Sequence, residues 1–311
     1  MTTPTSSTPE SIATIAIVTY YKAPDLTPDD ALLVAPLAER GVRVVPAIWN
    51  DDSIDWSAFD AVVIRSCWEY YTEEERFFAW LDQLDAAGVP VWNSTATVRW
   101  NARKTYLQEL AERGVRTIPS EHVPRGATTS LADIRARTGW GELVVKPVVS
   151  GGAFETWRVP AQSTDEDERR FAEFIAARDT IVQPFLPEIA NGEWAFVFFQ
   201  GELSHALRKR PVPGDFRVQP QYGGITTKET PAPELVAQAA AMLEAVPEGI
   251  ERAPLYARVD ACEVNGELLL MELEIIEPQL FFKCDPHAPA RFADAVVRAL
   301  RGAGVTDATA A

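Results

Sequence analysis

Four charged residues fall on what alternation marks as one face of a strand pair: Arg258, Asp260, Glu272 and Glu274. Val259, Ala261, Leu269, Met271, Leu273 and Ile275 are all odd-numbered, so in extended strands they share the opposite face. Asn265-Gly266 bridges the two strands. A strict two-residue turn there pairs odd positions with even ones. Both apolar sets then reach one core only through a connection with an odd number of residues, such as a three-residue loop with Gly266 in the left-handed region. Carboxylates gathered in this way repel one another unless cations sit among them, and hard oxygen donors suit magnesium held against phosphate. A solvated polar strand face accounts for the same residues, so other parts of the chain must discriminate.

Several basic and glycine-containing segments bear on that choice. Lys146-Pro147 ends an apolar run and precedes Ser150-Gly151-Gly152-Ala153, where backbone amides can approach phosphate oxygens closely; a plain surface loop is the alternative. Lys104 follows Trp100-Asn101 at an expected helix start, a place that favours anions over lysines unless a phosphate is bound. Gln183-Pro184-Phe185-Leu186 reads as a strand exit whose backbone could meet an adenine edge, with Glu193 accepting from ribose, or as a core strand ending at a turn. Arg208-Lys209-Arg210, Phe216-Arg217 and Tyr222-Gly223-Gly224 read as a basic stretch between strands, and the arginine fork suits a developing anion. Arg65-Ser66-Cys67-Trp68 follows a strand, at the end where open α/β sheets bind ligands. No GxSxG, Walker A or GxGxxG pattern occurs, and no Cys-His pair suggests a covalent nucleophile.

Composition narrows the partners. Twenty-nine Lys and Arg against forty-five Asp and Glu give a net charge of −16, which argues against nucleic acid. No apolar run reaches the ~20 residues that span a bilayer, so no membrane partner is expected. Cys67, Cys262 and Cys284 are few, odd in number and far apart, as expected of reduced thiols in the cytoplasm. Three histidines leave little for a zinc site. Homo-oligomer formation stays open.

The elements that must position these residues divide the chain. Residues 1–11 read as a disordered tail. Residues 12–97 alternate strand and helix patterns: strands near 12–19, 42–48, 61–65 and 89–92, helices near 29–40 and 73–87, with Gly41 and Gly88 as helix C-caps. This is an open α/β lobe with a mostly parallel sheet. Residues 98–302 form the remainder, with a subdomain near 115–182 and another over 183–302, and 303–311 read as a flexible end. Expected here are helices at 101–114, at 130–138 and on to 177 after an acidic linker at 163–170. Strands are expected at 143–149 and 180–185, and a hairpin over 193–206 turns at Gln200-Gly201.

The order of these motifs, from Lys104 through Lys146, the loop at 150–153, Gln183–Leu186, Glu193, Lys209, Arg217 and Asp260 to Glu272 and Glu274, resembles the ATP-grasp superfamily across roughly residues 98–300. The first lobe is similar to the domain that precedes it in that superfamily. Within it, the chain looks most like the glutathione-synthetase-like and RimK-like ligases. The runs Ser204-His205-Ala206, Lys209-Arg210-Pro211, Phe216-Arg217-Val218-Gln219 and Tyr222-Gly223-Gly224, with Arg65-Ser66-Cys67-Trp68, are similar to the cyclo-ligase family that closes O-ureido-serine into cycloserine.

The resemblance implies an ATP-grasp fold and ATP as substrate, with Lys104, Lys146, Ser150, Gly151 and Gly152 on the phosphates. Gln183, Phe185 and Leu186 would line adenine and Glu193 would bind ribose. Asp260, Glu272 and Glu274 would hold two magnesium ions, with manganese as a substitute. Arg217, Lys209 and Arg258 take the catalytic places, and Arg65, Trp68, Tyr222, Gly223 and Gly224 the substrate's. Two departures are visible: Glu274 stands where glutathione synthetases commonly have Asn, and no basic residue follows Glu193. The implied reaction joins a carboxylate to an amine through an acyl-phosphate, on a small amino-acid-like substrate, within one molecule or between two. Competing readings are a nucleotide-binding regulator without turnover, metal-dependent phosphoester hydrolysis, and AMP-forming adenylation.

Overall fold

The coordinates are a computed structural model that describes residues 13–305. Positions 1–11, Ile12 and 306–311 lie outside the described residues. The first lobe is a parallel sheet of β1 (Ala13–Thr19), β2 (Val42–Ile48), β3 (Ala61–Ile64) and β4 (Val91–Trp92), in the order β2-β1-β3-β4. β1 and β3 are apolar almost throughout because both their faces are covered. Ile15, Ile17 and Val63 pack on Leu33, Leu37 and the chain's last helix, Ala288–Gly302. Ala16, Val18, Val62 and Ile64 pack on Phe77, Trp80 and Leu84 of the helix Glu74–Ala87, which Gly88 ends at φ +66°.

A second sheet is antiparallel: β5 (Glu121–Val123), β6 (Leu143–Pro147), β7 (Trp157–Val159) and β8 (Thr180–Pro184), ordered β5-β8-β6-β7. Its helices, Leu131–Thr138 and Asp165–Ala177, bury Leu131, Ile134, Phe171 and Ile175 against Leu143, Val145 and Val182. The acidic stretch expected as a linker is instead mostly helix. Thr164 and Asp167 close a capping box, and four acidic residues fill the first turn, where the helix dipole favours them.

The third sheet comprises β9 (Glu193–Phe199), β10 (Glu202–Arg210), β11 (Ile225–Lys228), β12 (Ala257–Val264) and β13 (Glu267–Glu274), ordered β11-β10-β9-β12-β13. β9 is buried at every position. Trp194, Phe196 and Phe198 face the helices Tyr106–Glu112 and Pro233–Glu244, while Ala195, Val197 and Phe199 face the last helix. β10 runs on to Arg210, so Arg208-Lys209-Arg210 lies within a strand and not between strands.

The β12–β13 connection corrects the expected loop. Asn265 and Gly266 both have positive φ, +53° and +78°, and form a two-residue turn. Parity is restored by a β-bulge: Asp260 pairs with Glu272 but Ala261 pairs with Leu270, leaving Met271 as the extra residue. Leu268 and Leu270 therefore enter the core before the bulge and Leu273 and Ile275 after it, while Leu269 and Met271 do not join them.

Two expected helices are shorter than their patterns. The 29–40 segment is a 3-10 turn, Asp30–Leu33, followed by Val34–Ala38. The 101–114 segment is helical over Tyr106–Glu112, after a separate helix Thr95–Asn101 that reading the sequence missed. Among the described residues no helix is long and apolar enough to cross a membrane.

Candidate active site

The two antiparallel sheets and one edge of the first lobe enclose a cavity of about 550 Å³. The sheet face that carries Ala195, Val197 and Phe199 toward the last helix carries Glu193, Lys209, Arg258, Asp260, Glu272 and Glu274 at its other end. The strand register sets these side by side: Lys209 opposite Glu193, Asp260 opposite Glu272, Arg258 opposite Glu274. All six line the cavity, joined by Lys104, Lys146, Ser150, Gly151, Gly152 and Arg217.

The charges are interleaved. Lys104 lies between two helices and not on the first turn of one; its Nζ is 2.8 Å from Glu272 and donates to the Ser150 carbonyl at 2.6 Å. Lys209 pairs with Glu193 and, at 2.7 Å, with Asp260. Arg258 holds both Asp260 oxygens at 2.8 Å and also engages Glu274. Burial would raise the Asp260 carboxyl, but Arg258 and Lys209 outweigh it and keep the group well below the usual carboxylate range. Burial carries Glu274 up to about 8 despite Arg258, with Asp260 and Glu272 adding to the rise. Lys146 is pulled down to about 8 by burial, opposed by Glu272.

This corrects the picture of a bare three-carboxylate cluster. Asp260, Glu272 and Glu274 are each paired with a cation, Arg258 serving both Asp260 and Glu274, and no three His, Cys, Asp or Glu side chains among the described residues stand in a metal-ligating arrangement. The donor chemistry nevertheless fits magnesium. Glu272 and Glu274 keep partly exposed carboxylates on the cavity, and a divalent ion beside them would favour the ionised form of Glu274 that burial disfavours.

Gln183, Phe185 and Leu186 line the cavity where β8 leaves its sheet; Gln183 donates to Ser120 at 2.8 Å, and the Arg158 guanidinium lies 3.8 Å from the Phe185 ring centre. Arg217 is held by Asp215 at 2.8 Å and stacks 3.7 Å over Tyr222. Trp68 and Tyr222 also line the cavity, but Gly223 and Gly224 do not. Gly224 serves close packing instead, since a Cβ there would fall 2.0 Å from the Val218 carbonyl oxygen.

Arg65 is the clearest misplacement. It is 1% exposed, bonds Asp30 at 3.0 Å and the Pro278 carbonyl at 2.9 Å, and lies outside the cavity lining. Its strand-end position was legible, but the acid that turns it inward, Asp30, is 35 residues away in sequence. Glu277, Gln279 and Tyr71 were missed, although all line the cavity. The only available signal was a further acid, Glu277, three residues beyond Glu274.

The three sheets, with the cavity between the two antiparallel ones, make an ATP-grasp fold. Residues 15–93 match the family described as the N-terminal domain of D-cycloserine synthetase DcsG. The chain is 27% identical over 297 residues to the cycloserine biosynthesis protein DcsG of Streptomyces lavendulae, covering 92% of this chain and 99% of that one. The crystal structure of D-cycloserine synthetase DcsG superposes with a TM-score of 0.82 at 27% identity, again covering 92% and 99% of the two chains. The D-alanine–D-alanine ligase of Bacillus anthracis complexed with ATP shares the fold at a TM-score of 0.66 and 15% identity, covering 93% and 98%.

Proposed function

We propose that this chain is an ATP-dependent carboxylate–amine ligase of the cycloserine-forming type, acting through an acyl-phosphate on a small amino-acid-like substrate. The observation that carries the reading is the convergence of Lys104 and Lys146 with Glu272 and Glu274 in one cavity, within a chain similar along nearly its whole length to a cycloserine synthetase. Ammonium groups facing paired carboxylates suit a nucleoside triphosphate, whose charge the ammonium groups and a cation held by the carboxylates would neutralise from two sides.

In this reading Lys104 and Lys146 bind phosphate oxygens and the backbone of Ser150, Gly151 and Gly152 closes over them. Gln183, Phe185 and Leu186 line adenine, and Glu193 takes the ribose. Glu272 and Glu274, with Asp260 behind them, would hold magnesium, two ions with manganese as a substitute; the metal supplies charge neutralisation of the transferring phosphoryl group. Arg217 stands over the acyl-phosphate, and Lys209 and Arg258 keep Asp260 and Glu274 in place. The substrate carboxylate attacks the γ-phosphate and releases ADP. A nitrogen then displaces phosphate from the acyl carbon and loses its proton, so no protein nucleophile is needed. We place the enzyme in the cytoplasm on its three free cysteines.

Incubation with ATP, magnesium, O-ureido-serine and a panel of amino acids tests the proposal. Stoichiometric ADP and phosphate with a ring or amide product of matching mass is expected. ATP binding without product across the panel would establish the regulator reading, and pyrophosphate release would establish adenylation.

A further inference from the structure

Five carboxylates line the cavity, and four of them are matched by cations: Glu193 and Asp260 by Lys209, Glu272 by Lys104, Glu274 by Arg258. The fifth, Glu277, has no ion-pair partner among the described residues, and the reading above gives it no role. Lys104 acts on it only from a distance, being bonded to Glu272 and Ser150.

Its position is nevertheless fixed with care. Three successive carbonyls are each held by a side chain from elsewhere: Ile276 by the Tyr256 hydroxyl at 2.8 Å, Glu277 by the Trp68 indole at 3.0 Å and Pro278 by Arg65 at 2.9 Å. This explains why Arg65 is buried rather than in the cavity: it braces the segment that carries Glu277. The carboxylate and the Tyr71 ring both stand beside the loop assigned to the phosphates: a Cβ on Gly151 would meet Tyr71 at 3.4 Å and Glu277 Oε1 at 3.7 Å. Trp68 completes that wall. A carboxylate without a cation, beside the loop assigned to the phosphates, is chemistry for a positively charged amine.

We infer that Glu277 is the specificity residue that receives the α-ammonium group of the substrate. The inference rests on the ligase reading, because the acyl carboxylate must lie at the phosphates. In an α-amino acid the ammonium is only two bonds from that carboxyl carbon, which puts it beside Gly151, where Glu277 waits. The consequence is orientation. With the α-ammonium and the acyl carboxylate both anchored, the nitrogen at the far end of the side chain is the group of that molecule left free to reach its acyl carbon, which is the geometry ring closure needs.

The test compares wild type with Glu277→Gln, checked for an unchanged thermal melt, on O-ureido-serine of each hand and on its analogue lacking the α-amino group. In the wild type, turnover should favour the amino compound at least tenfold in kcat/KM; in Glu277→Gln that preference should vanish through KM, with the Kd for ATP unchanged, and Glu277→Asp should restore part of it. A preserved preference in Glu277→Gln overturns the assignment while leaving the ligase reading intact. If no ADP forms with any compound, calorimetry on protein holding AMP-PNP and magnesium separates the two. Amine-dependent binding lost in Glu277→Gln upholds Glu277 and discards the ligase reading, and binding of neither compound discards both.

Discussion

Lys209 reaches from β10 across β9 to meet Asp260 on β12 at 2.7 Å, inside the cavity wall. Their side chains are 9% and 3% exposed, and Glu193 shares the same ammonium. Removing one partner of such a buried set strands the others in a medium that solvates them poorly. Lys209→Met should lower the unfolding free energy by about 3–5 kcal/mol. Urea titration checks this, and a loss below ~1 kcal/mol would show that water reaches the group.

Glu272 belongs to the cavity and not to the packed face of β13. Glu272→Gln should reduce ADP formation by roughly 100-fold or more while leaving the fold intact, as expected when one preorganised charge is withdrawn from a phosphoryl-transfer site. Steady-state ADP release with circular dichroism as the folding control decides it. Wild-type rates would remove the metal assignment.

Lys146 carries its proton up to about pH 8, burial having lowered it from the ordinary lysine range. Only the ammonium form attracts phosphate. The Kd for ATP should therefore rise as pH increases through about 8 in the wild type, and the added slope should disappear in Lys146→Met, which should bind ATP roughly tenfold more weakly at neutral pH. An unchanged Kd in the variant would exclude a phosphate role.

His205 is held neutral: burial takes it down to about 4, even though its Nε2 meets the Leu280 carbonyl at 2.9 Å. The unfolded chain binds a proton near the ordinary histidine value and the folded chain does not. Stability is thus complete above about pH 6.5 and declines as pH falls toward 4, by up to about 3 kcal/mol from this residue. The difference in unfolding free energy between wild type and His205→Gln, measured from pH 7 to pH 4, should show that slope only in the wild type.

Arg65 is a brace, so Arg65→Met should cost about 3–5 kcal/mol by leaving Asp30 buried without its partner. If the only effect were a raised KM on a fully stable protein, Arg65 would instead be reaching substrate.

Much of this was legible from local pattern. The apolar runs of β1, β2, β3 and β9, the alternation in β12, the Gly88 cap and the Gln200-Gly201 turn are short-range signals, and each corresponds to an element in the structure. The charged residues Lys104, Lys146, Glu193, Lys209, Asp260, Glu272 and Glu274 were likewise found by type and order, and they do share one cavity. The failures were those of distance. The 101–114 segment is helical only from Tyr106, because Lys104 sits in the turn between two helices where it reaches Ser150 and Glu272, contacts that its neighbours in sequence do not announce.

What residue order determined by itself was the inventory: which strands exist, and which acids and bases they carry, since a period of two or of 3.6 is written in neighbouring side chains. What only the tertiary structure decided was partnership. The bulge at Met271 chose which leucines turn inward, Asp30 drew Arg65 out of the site, and side chains from elsewhere, holding three successive carbonyls, set Glu277 in the cavity without a cation. The last two outcomes depend on contacts between residues tens to hundreds of positions apart, where Coulomb attraction and exclusion of water act through space and leave no periodic trace along the chain.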